Sequence, residues 1–273
     1  MVQKFSVLMS LYIKENSNYL DACLASLYLQ SIQASEIVIV LDGKVTPELL
    51  LIIDKWKKKL PIITIALDEN IGLGRALNVG LSYCSNELVA RMDTDDVCMP
   101  LRFEKQLEQF IKNPDLDICG TFIKEFDVSP TQPISKRNTP LRHEDIMEKC
   151  IVMNPFNHMT VMYKKSVVQN SGGYLHMPWM EDWYLWLRMI SNNCISVNIP
   201  EYLVRARTGF AMIERRSGLD YIKSEWALTK IKVSLQLISW PKALLIFLLR
   251  SIPRVVPKKI LFQLYKVSRS IAK

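Results

Sequence analysis

The sequence predicts an α/β fold, an open and mostly parallel sheet with helices on both faces, followed by a helical amphipathic C-terminal tail. Three observations predict it. Short apolar runs alternate with stretches of helical spacing from the start of the chain, the pattern of βα repeats. At 273 residues and 49% hydrophobic, the chain can bury a large core. The excess positive charge is confined to the last part of the chain.

Residues 5–11 read as a first buried strand, and residues 19–29 as a helix in which Leu20, Leu24 and Leu27 recur at helical spacing. Residues 36–41 form a second strand ending at Asp42-Gly43. A helix over 47–57 precedes a third strand at 62–67. A turn at 68–72, a helix to Leu81 and a fourth strand at 87–92 follow. Strands thus end at Tyr12, Asp42 and Asp93. In open α/β sheets, ligands bind outside the carboxyl ends of strands, so these residues are expected in one crevice. A helix over 102–112 and a strand at 117–121 continue the core, and Pro130, Pro133 and Pro140 mark irregular chain beyond it. There is no internal repeat.

The N-terminus lacks the charged start, long apolar core and cleavage site of a signal peptide, which predicts a cytoplasmic enzyme. Six scattered cysteines without paired spacing argue against a disulfide framework and a zinc site. Of 35 Lys and Arg residues, ten follow Glu225, where there is no further acidic residue; the first 225 residues hold the other 25 against 27 acidic ones. A near-neutral body with a basic, apolar tail fits a membrane surface better than a nucleic-acid groove, and no interleaved aromatic platform is visible.

The most informative stretch is Val89-Ala90-Arg91-Met92-Asp93-Thr94-Asp95-Asp96, an apolar strand running into three carboxylates. Asp93 and Asp95 can share a hard divalent cation that in turn holds a diphosphate. Alternatively, Asp95 or Asp96 caps a helix that begins near Pro100.

With these pieces stand Ser6 to Tyr12, Glu36 to Gly43, Asn70-Ile71-Gly72-Leu73-Gly74-Arg75-Ala76-Leu77-Asn78, and Glu181-Asp182, in an order that resembles glycosyltransferase family 2. Asn154-Pro155-Phe156-Asn157-His158-Met159-Thr160-Val161-Met162 and Arg215-Arg216 are similar to its bacterial amylovoran-type and O-antigen transferases. The resemblance covers roughly residues 5 to 220. It implies a GT-A fold and sugar transfer from a nucleotide diphosphate donor. Asp42 would accept a hydrogen bond from uracil, with Tyr12, Glu15, Asn70 and Arg75 along the nucleotide. Asp93 would contact the ribose side, Asp95 would ligate Mn²⁺ or Mg²⁺, and His158 would approach the metal or diphosphate. Asp182 would be the catalytic base. The family often carries an arginine just before the asparagine of the glycine segment; here that residue is Leu77, with Arg75 two positions earlier. The expected division is a catalytic domain over 1–225, with a nucleotide-sugar half at 1–125 and an acceptor half at 126–225, and a membrane-association tail over 226–273.

The chemistry asks for these residue types. A metal stabilises the charge on the departing nucleotide, and a carboxylate takes the proton of the attacking hydroxyl. Residues 180–190 read as a helix whose apolar face is Trp183, Trp186, Leu187 and Ile190, with Glu181 and Asp182 at its start pointing apart. The base is assigned to Asp182 and a positioning role to Glu181, against the alternative that Asp182 only caps the helix. One base without an opposed nucleophile implies single displacement with inversion. His158 is either a ligand or a packed, hydrogen-bonded side chain. Arg215 and Arg216 either grip a diphosphate or lie in a solvated loop.

The apolar run 243–249 is too short to span a bilayer. From Pro257 onward, Lys258, Lys259, Lys266, Arg269 and Lys273 fall opposite Ile260, Leu264, Val267 and Ile271. That is a basic amphipathic helix suited to the inner leaflet, unless it packs on the body instead. The predicted partners are a UDP-sugar, of galactose or glucose, and an undecaprenyl diphosphate acceptor ending in GlcNAc, which the resemblance implies. A sugar-nucleotide nucleotidyltransferase would need a basic glycine-rich loop where Ser10 to Glu15 stand. A non-enzymatic membrane adaptor is suggested by basicity alone.

Overall fold

The structure is a computed structural model that describes residues 3–208 and 218–255. Its first half is built as the periodicity predicts. β1 (Phe5–Leu11), α1 (Ser17–Tyr28), β2 (Glu36–Leu41), α2 (Pro47–Lys57), β3 (Ile62–Ala66), α3 (Leu73–Tyr83) and β4 (Leu88–Arg91) alternate along the chain. Local chemistry sets the helix starts. Asn16 caps α1 by accepting from the Asn18 N–H, and Thr46 caps α2 ahead of Pro47 in its first turn.

Strands β3, β2, β1 and β4 lie side by side in that order and are all parallel. The chain leaves β1 toward β2 on one side and later returns to β4 on the other. This reversal opens a crevice beyond the carboxyl ends of β1 and β4. Alternation splits the strands between two cores. Phe5, Val7, Met9 and Leu11 pack with Ile37, Ile39 and Ala90 against α1 and α2, whereas Leu8, Val38 and Val89 pack against α3. Each fully buried Leu, Ile or Phe contributes roughly 1.5–3 kcal/mol.

The second half is mixed. β5 (Val97–Cys98), α4 (Arg102–Lys112), β6 (Ile118–Phe126), β7 (Ser135–Arg137), α5 (His143–Lys149), a 3₁₀ turn (His158–Thr160), β8 (Met162–Lys164), α6 (Lys165–Asn170), α7 (Glu181–Ser191) and β9 (Ser196–Arg207) follow. β8 pairs antiparallel with β4, extending the sheet through β6 and β9 to β5; β6 runs parallel to β9 and to residue 126, beyond the expected strand end.

All six cysteines are free and buried, Cys23, Cys98 and Cys119 in one core and Cys84, Cys150 and Cys194 in the other. The chain then forms α8 (Leu219–Ser234) and α9 (Trp240–Val255), joined by contacts of Trp226 with Trp240 and Phe247. The division expected after Glu225 therefore falls inside α8, and Glu225 is itself buried. Among the described residues, no helix is long and apolar enough to cross a membrane. Arg215, Arg216 and the basic helix expected beyond Pro257 lie outside the described residues.

Candidate active site

β2 delivers Asp42 beside β1, where its N–H bonds to the Leu11 carbonyl at 2.7 Å. The Asp42 carboxylate is buried and accepts from the N–H groups of Ile71 (2.7 Å) and Gly72 (3.1 Å), while Asn70 Nδ2 donates to the Asp42 carbonyl (3.1 Å). Asp42 thus pins the loop that enters α3. Two glycines make the approach possible. Gly72 has φ +87°, and a Cβ on Gly43, at φ +80°, would lie 2.8 Å from the Asn70 nitrogen. Tyr12 keeps 37% of its surface exposed at the end of β1.

The three carboxylates after β4 have different environments. Asp93 accepts from Arg91 Nη1, and the Arg91 side chain is buried. Burial opposes the Arg91 charge, but the neighbouring acidic groups, Asp93 foremost, together offset it and raise the guanidinium. Asp95 is half-buried; desolvation, then Asp93 and Glu15, push its carboxyl up to about 7. Asp96 is buried and accepts from the Arg207 N–H at 2.7 Å, and its other oxygen lacks a partner among the described residues. Burial and the neighbouring Asp95 and Asp93 drive its carboxyl well above the usual range. The expected alternative of a helix cap is corrected here: α4 begins after Leu101 without a side-chain cap, because the residues directly after Asp96, Val97–Cys98, pair with β9 as a strand. Glu15 crosses to this cluster, its Oε2 accepting from Thr94 Oγ1 at 2.6 Å.

On the opposite side stands α7. Glu181 and Asp182 occupy its first turn, and Trp183, Trp186, Leu187 and Ile190 are buried as expected. The residue that caps α7 is Met180, so Asp182 is inside the helix; its Oδ1 accepts from the Trp183 N–H (2.7 Å) and its Oδ2 from Asn154 Nδ2 (2.6 Å). Glu181 packs over Gly74, where a Cβ would come within 2.8 Å of its Cγ. Burial, then Asp182, push the Glu181 carboxyl up to about 7. Tyr174 is buried, and burial raises its phenol above the usual range. Its hydroxyl is 3.1 Å from His158 Nε2. Burial and then the Arg91 charge hold His158 well below its usual range, as neutral imidazole.

The glycosyl transferase family 2 model matches residues 6–171, the span from β1 to the end of α6. The chain belongs to glycosyltransferase family 2. It is 41% identical over 97% of its length to the amylovoran biosynthesis glycosyltransferase AmsE of Erwinia amylovora, covering 99% of that relative. An Escherichia coli UDP-Gal:alpha-D-GlcNAc-diphosphoundecaprenol beta-1,3-galactosyltransferase is 39% identical over 81% of this chain and 80% of the relative. In fold the chain is similar to S. aureus TarS residues 1–349 in complex with UDP-GlcNAc, with TM-score 0.67 and 21% identity over 90% of this chain and 70% of TarS. A Pyrobaculum calidifontis mannosyltransferase in complex with GDP-Man and Mn²⁺ gives TM-score 0.65 and 14% identity over 97% of this chain and 79% of that one.

Within this glycosyltransferase, Leu77 is fully buried against Leu8, Val38 and Leu81, so the side chain at that position is structural; Arg75 is exposed on α3. Among the described residues, no group of three or more His, Cys, Asp or Glu is arranged to hold a metal ion. The chemistry of the carboxylates after β4 nevertheless suits one: Asp95 and Asp93 are hard oxygen donors of the kind a hard divalent cation takes, one or two at a time. Asn154 and Tyr174 were not singled out by sequence reasoning. Asn154 opened the motif 154–162 that contains His158, but Tyr174 carried no local signal.

Proposed function

We propose that this glycosyltransferase moves a hexose, galactose or glucose, from a UDP-sugar to a lipid-linked GlcNAc diphosphate, with inversion, in bacterial O-antigen or exopolysaccharide assembly at the inner membrane face. The observation that supports this reading is the carboxylate of Asp182 in the first turn of α7, both oxygens of which are held, Oδ1 by the Trp183 N–H and Oδ2 by Asn154 Nδ2, in a chain of glycosyltransferase family 2 whose β4 runs into Asp93 and Asp95. The Escherichia coli relative, named for UDP-Gal and a GlcNAc-diphosphoundecaprenol, supports the donor and acceptor classes.

In this mechanism Asp42 and Tyr12 receive the uridine, with Glu15, Asn70 and Arg75 beside it and Asp93 at the ribose. Asp95 would hold Mn²⁺ or Mg²⁺, with His158 as the neutral imidazole that would approach the metal or diphosphate. When bound, the ion supplies Lewis-acid stabilisation of the charge that builds on the departing diphosphate. Arg215 and Arg216 lie in sequence where they can add charge against a diphosphate. Asp182 accepts the proton of the acceptor hydroxyl as its oxygen bonds the anomeric carbon, and the bond to UDP breaks with its electron pair leaving on the β-phosphate. Glu181 orients the acceptor. An α-linked donor then yields a β-glycoside. The tail over 226–273 keeps the enzyme at the leaflet that carries its acceptor.

UDP release from a panel of UDP-sugars, with Mn²⁺ and a synthetic GlcNAc diphosphate lipid, tests the reading. Turnover with one donor is expected, falling about 10²–10⁴-fold in Asp182→Asn, which still binds UDP. Asp95→Ala is expected to lose turnover and Mn²⁺ response together. Absence of UDP binding and of turnover with every donor would sink the proposal.

A further inference from the structure

The turn that follows α5 presents three successive carbonyl oxygens, those of Cys150, Ile151 and Val152, each held by a donor from a different helix. Trp183 Nε1 of α7 donates to Cys150, Lys232 Nζ of α8 to Ile151 and Arg250 Nη1 of α9 to Val152, all at 2.8 Å. Two residues further along the same turn, Asn154 reaches Asp182. The two cations also lie against the indole of Trp183, Lys232 at 4.2 Å and Arg250 at 4.5 Å from the ring centre. Trp183 is the residue whose N–H bonds Asp182 Oδ1. Both oxygens of Asp182 are therefore fixed by groups that α8 and α9 clamp from behind.

The chemistry of the clamp favours a directional role over simple packing. Glu225, 1% exposed, takes a forked ion pair from Arg250, with Nε at 3.0 Å from both oxygens. Burying charges here costs free energy that an apolar side chain of similar volume would avoid. Lys232 Nζ donates to a carbonyl, and burial, then the Arg250 charge, push its ammonium down to about 7. What a lysine and an arginine supply, and a methionine does not, is N–H groups aimed at chosen carbonyls.

We propose that Lys232 and Arg250 are positioning residues for glycosyl transfer, holding the 150–154 turn and Trp183 so that Asn154 and the Trp183 N–H fix the Asp182 carboxylate. The proposal rests on the reading of Asp182 as the base. It makes α9 part of the catalytic architecture although it lies beyond the family match at 6–171.

The test uses the full chain carrying Arg250→Met, Lys232→Met or Asn154→Ala, with the donor identified by the panel above and UDP as the binding probe. Expected are a roughly tenfold fall in kcat for each and UDP affinity within about twofold of wild type. Amide exchange over residues 150–157 should be faster in Arg250→Met and Lys232→Met. Arg250→Met combined with Asn154→Ala should lose little more than either alone, since both act through one carboxylate. Arg250→Lys, which keeps the charge but loses the fork, serves if the methionine variant does not fold. Unchanged exchange over the turn, unchanged kcat, or losses that multiply in the double variant would overturn the proposal. Asp182→Asn is measured alongside. If it retains kcat, the base assignment has failed and the exchange result decides the clamp by itself. If it loses kcat while Arg250→Met matches wild type, the clamp has failed and the base stands.

Discussion

Asn154 Nδ2 donates a 2.6 Å hydrogen bond to Asp182 Oδ2, linking the turn after α5 to the first turn of α7. The bond restricts the carboxylate to one orientation without touching the nucleotide side of the crevice. Asn154→Leu, similar in volume but without the donor, is expected to lower kcat about tenfold or more while the KM for the donor stays within about twofold. Steady-state kinetics separate the two parameters, and a rise in KM alone would remove Asn154 from the acceptor side.

Asp42 holds the loop before α3 through two backbone N–H groups, so its replacement should act on order as well as on binding. Asp42→Ala is expected to cost about 1–3 kcal/mol of stability and to weaken UDP binding, read by denaturant melts and calorimetry. Loss of affinity with full stability would show that the loop does not need the carboxylate.

Leu77 faces the core, and Arg75 faces solvent on the same helix. Leu77→Arg is expected to destabilise the fold by about 3 kcal/mol or more, since it buries an unpaired charge. Arg75→Ala should leave the melting temperature unchanged and raise the donor KM. Measuring both variants shows which of the two positions can serve the nucleotide.

Gly173, at φ +65°, approaches Asn78 so closely that a Cβ would lie 2.1 Å from its Oδ1, the atom that accepts from the Tyr174 N–H at 3.1 Å. Gly173→Ala combines left-handed strain with loss of that bond. A drop of about 1–3 kcal/mol in stability is expected, together with reduced turnover as Tyr174 shifts against His158. Thermal melts and kcat should change together.

Two raised or lowered groups give opposite pH signatures. Glu181 is raised from 4.5 to about 7, so the folded state binds more protons than the unfolded between those values and stability falls as pH rises through that window. Lys232 is lowered from 10.5 to about 7, so the unfolded state binds more protons above 7 and stability rises from there toward 10.5. Glu181→Gln should remove the fall, on the order of 1–3 kcal/mol, and Lys232→Met should remove the rise. Melts across pH 4 to 10 read each slope directly.

The parallel half was legible because strands such as residues 36–41 and helices such as 47–57 carry long, uninterrupted patterns. The antiparallel half was not. β5, β7 and β8 are two or three residues long, too short for alternation to be visible, and their place is set by pairing with distant strands. In the site, the positions of Asp42 and Asp93 after strands and of Asp182 in the first turn of a helix were legible, because strand ends and a helix start fall at fixed offsets in the pattern. The different surroundings of Asp93, Asp95 and Asp96 were not, since they depend on Arg91 and Arg207 arriving from the sheet. Lys232 and Arg250 read only as tail charges; that both are turned inward onto Trp183 is a tertiary fact.

The six cysteines, three in each core, give the molecule its own set of clocks. Burial pushes every one of these thiols upward, so a thiol reagent reacts only when the surrounding layer opens. The order in which Cys23, Cys98 and Cys119 are labelled relative to Cys84, Cys150 and Cys194 would then report which side of the sheet parts first, without adding a single foreign probe.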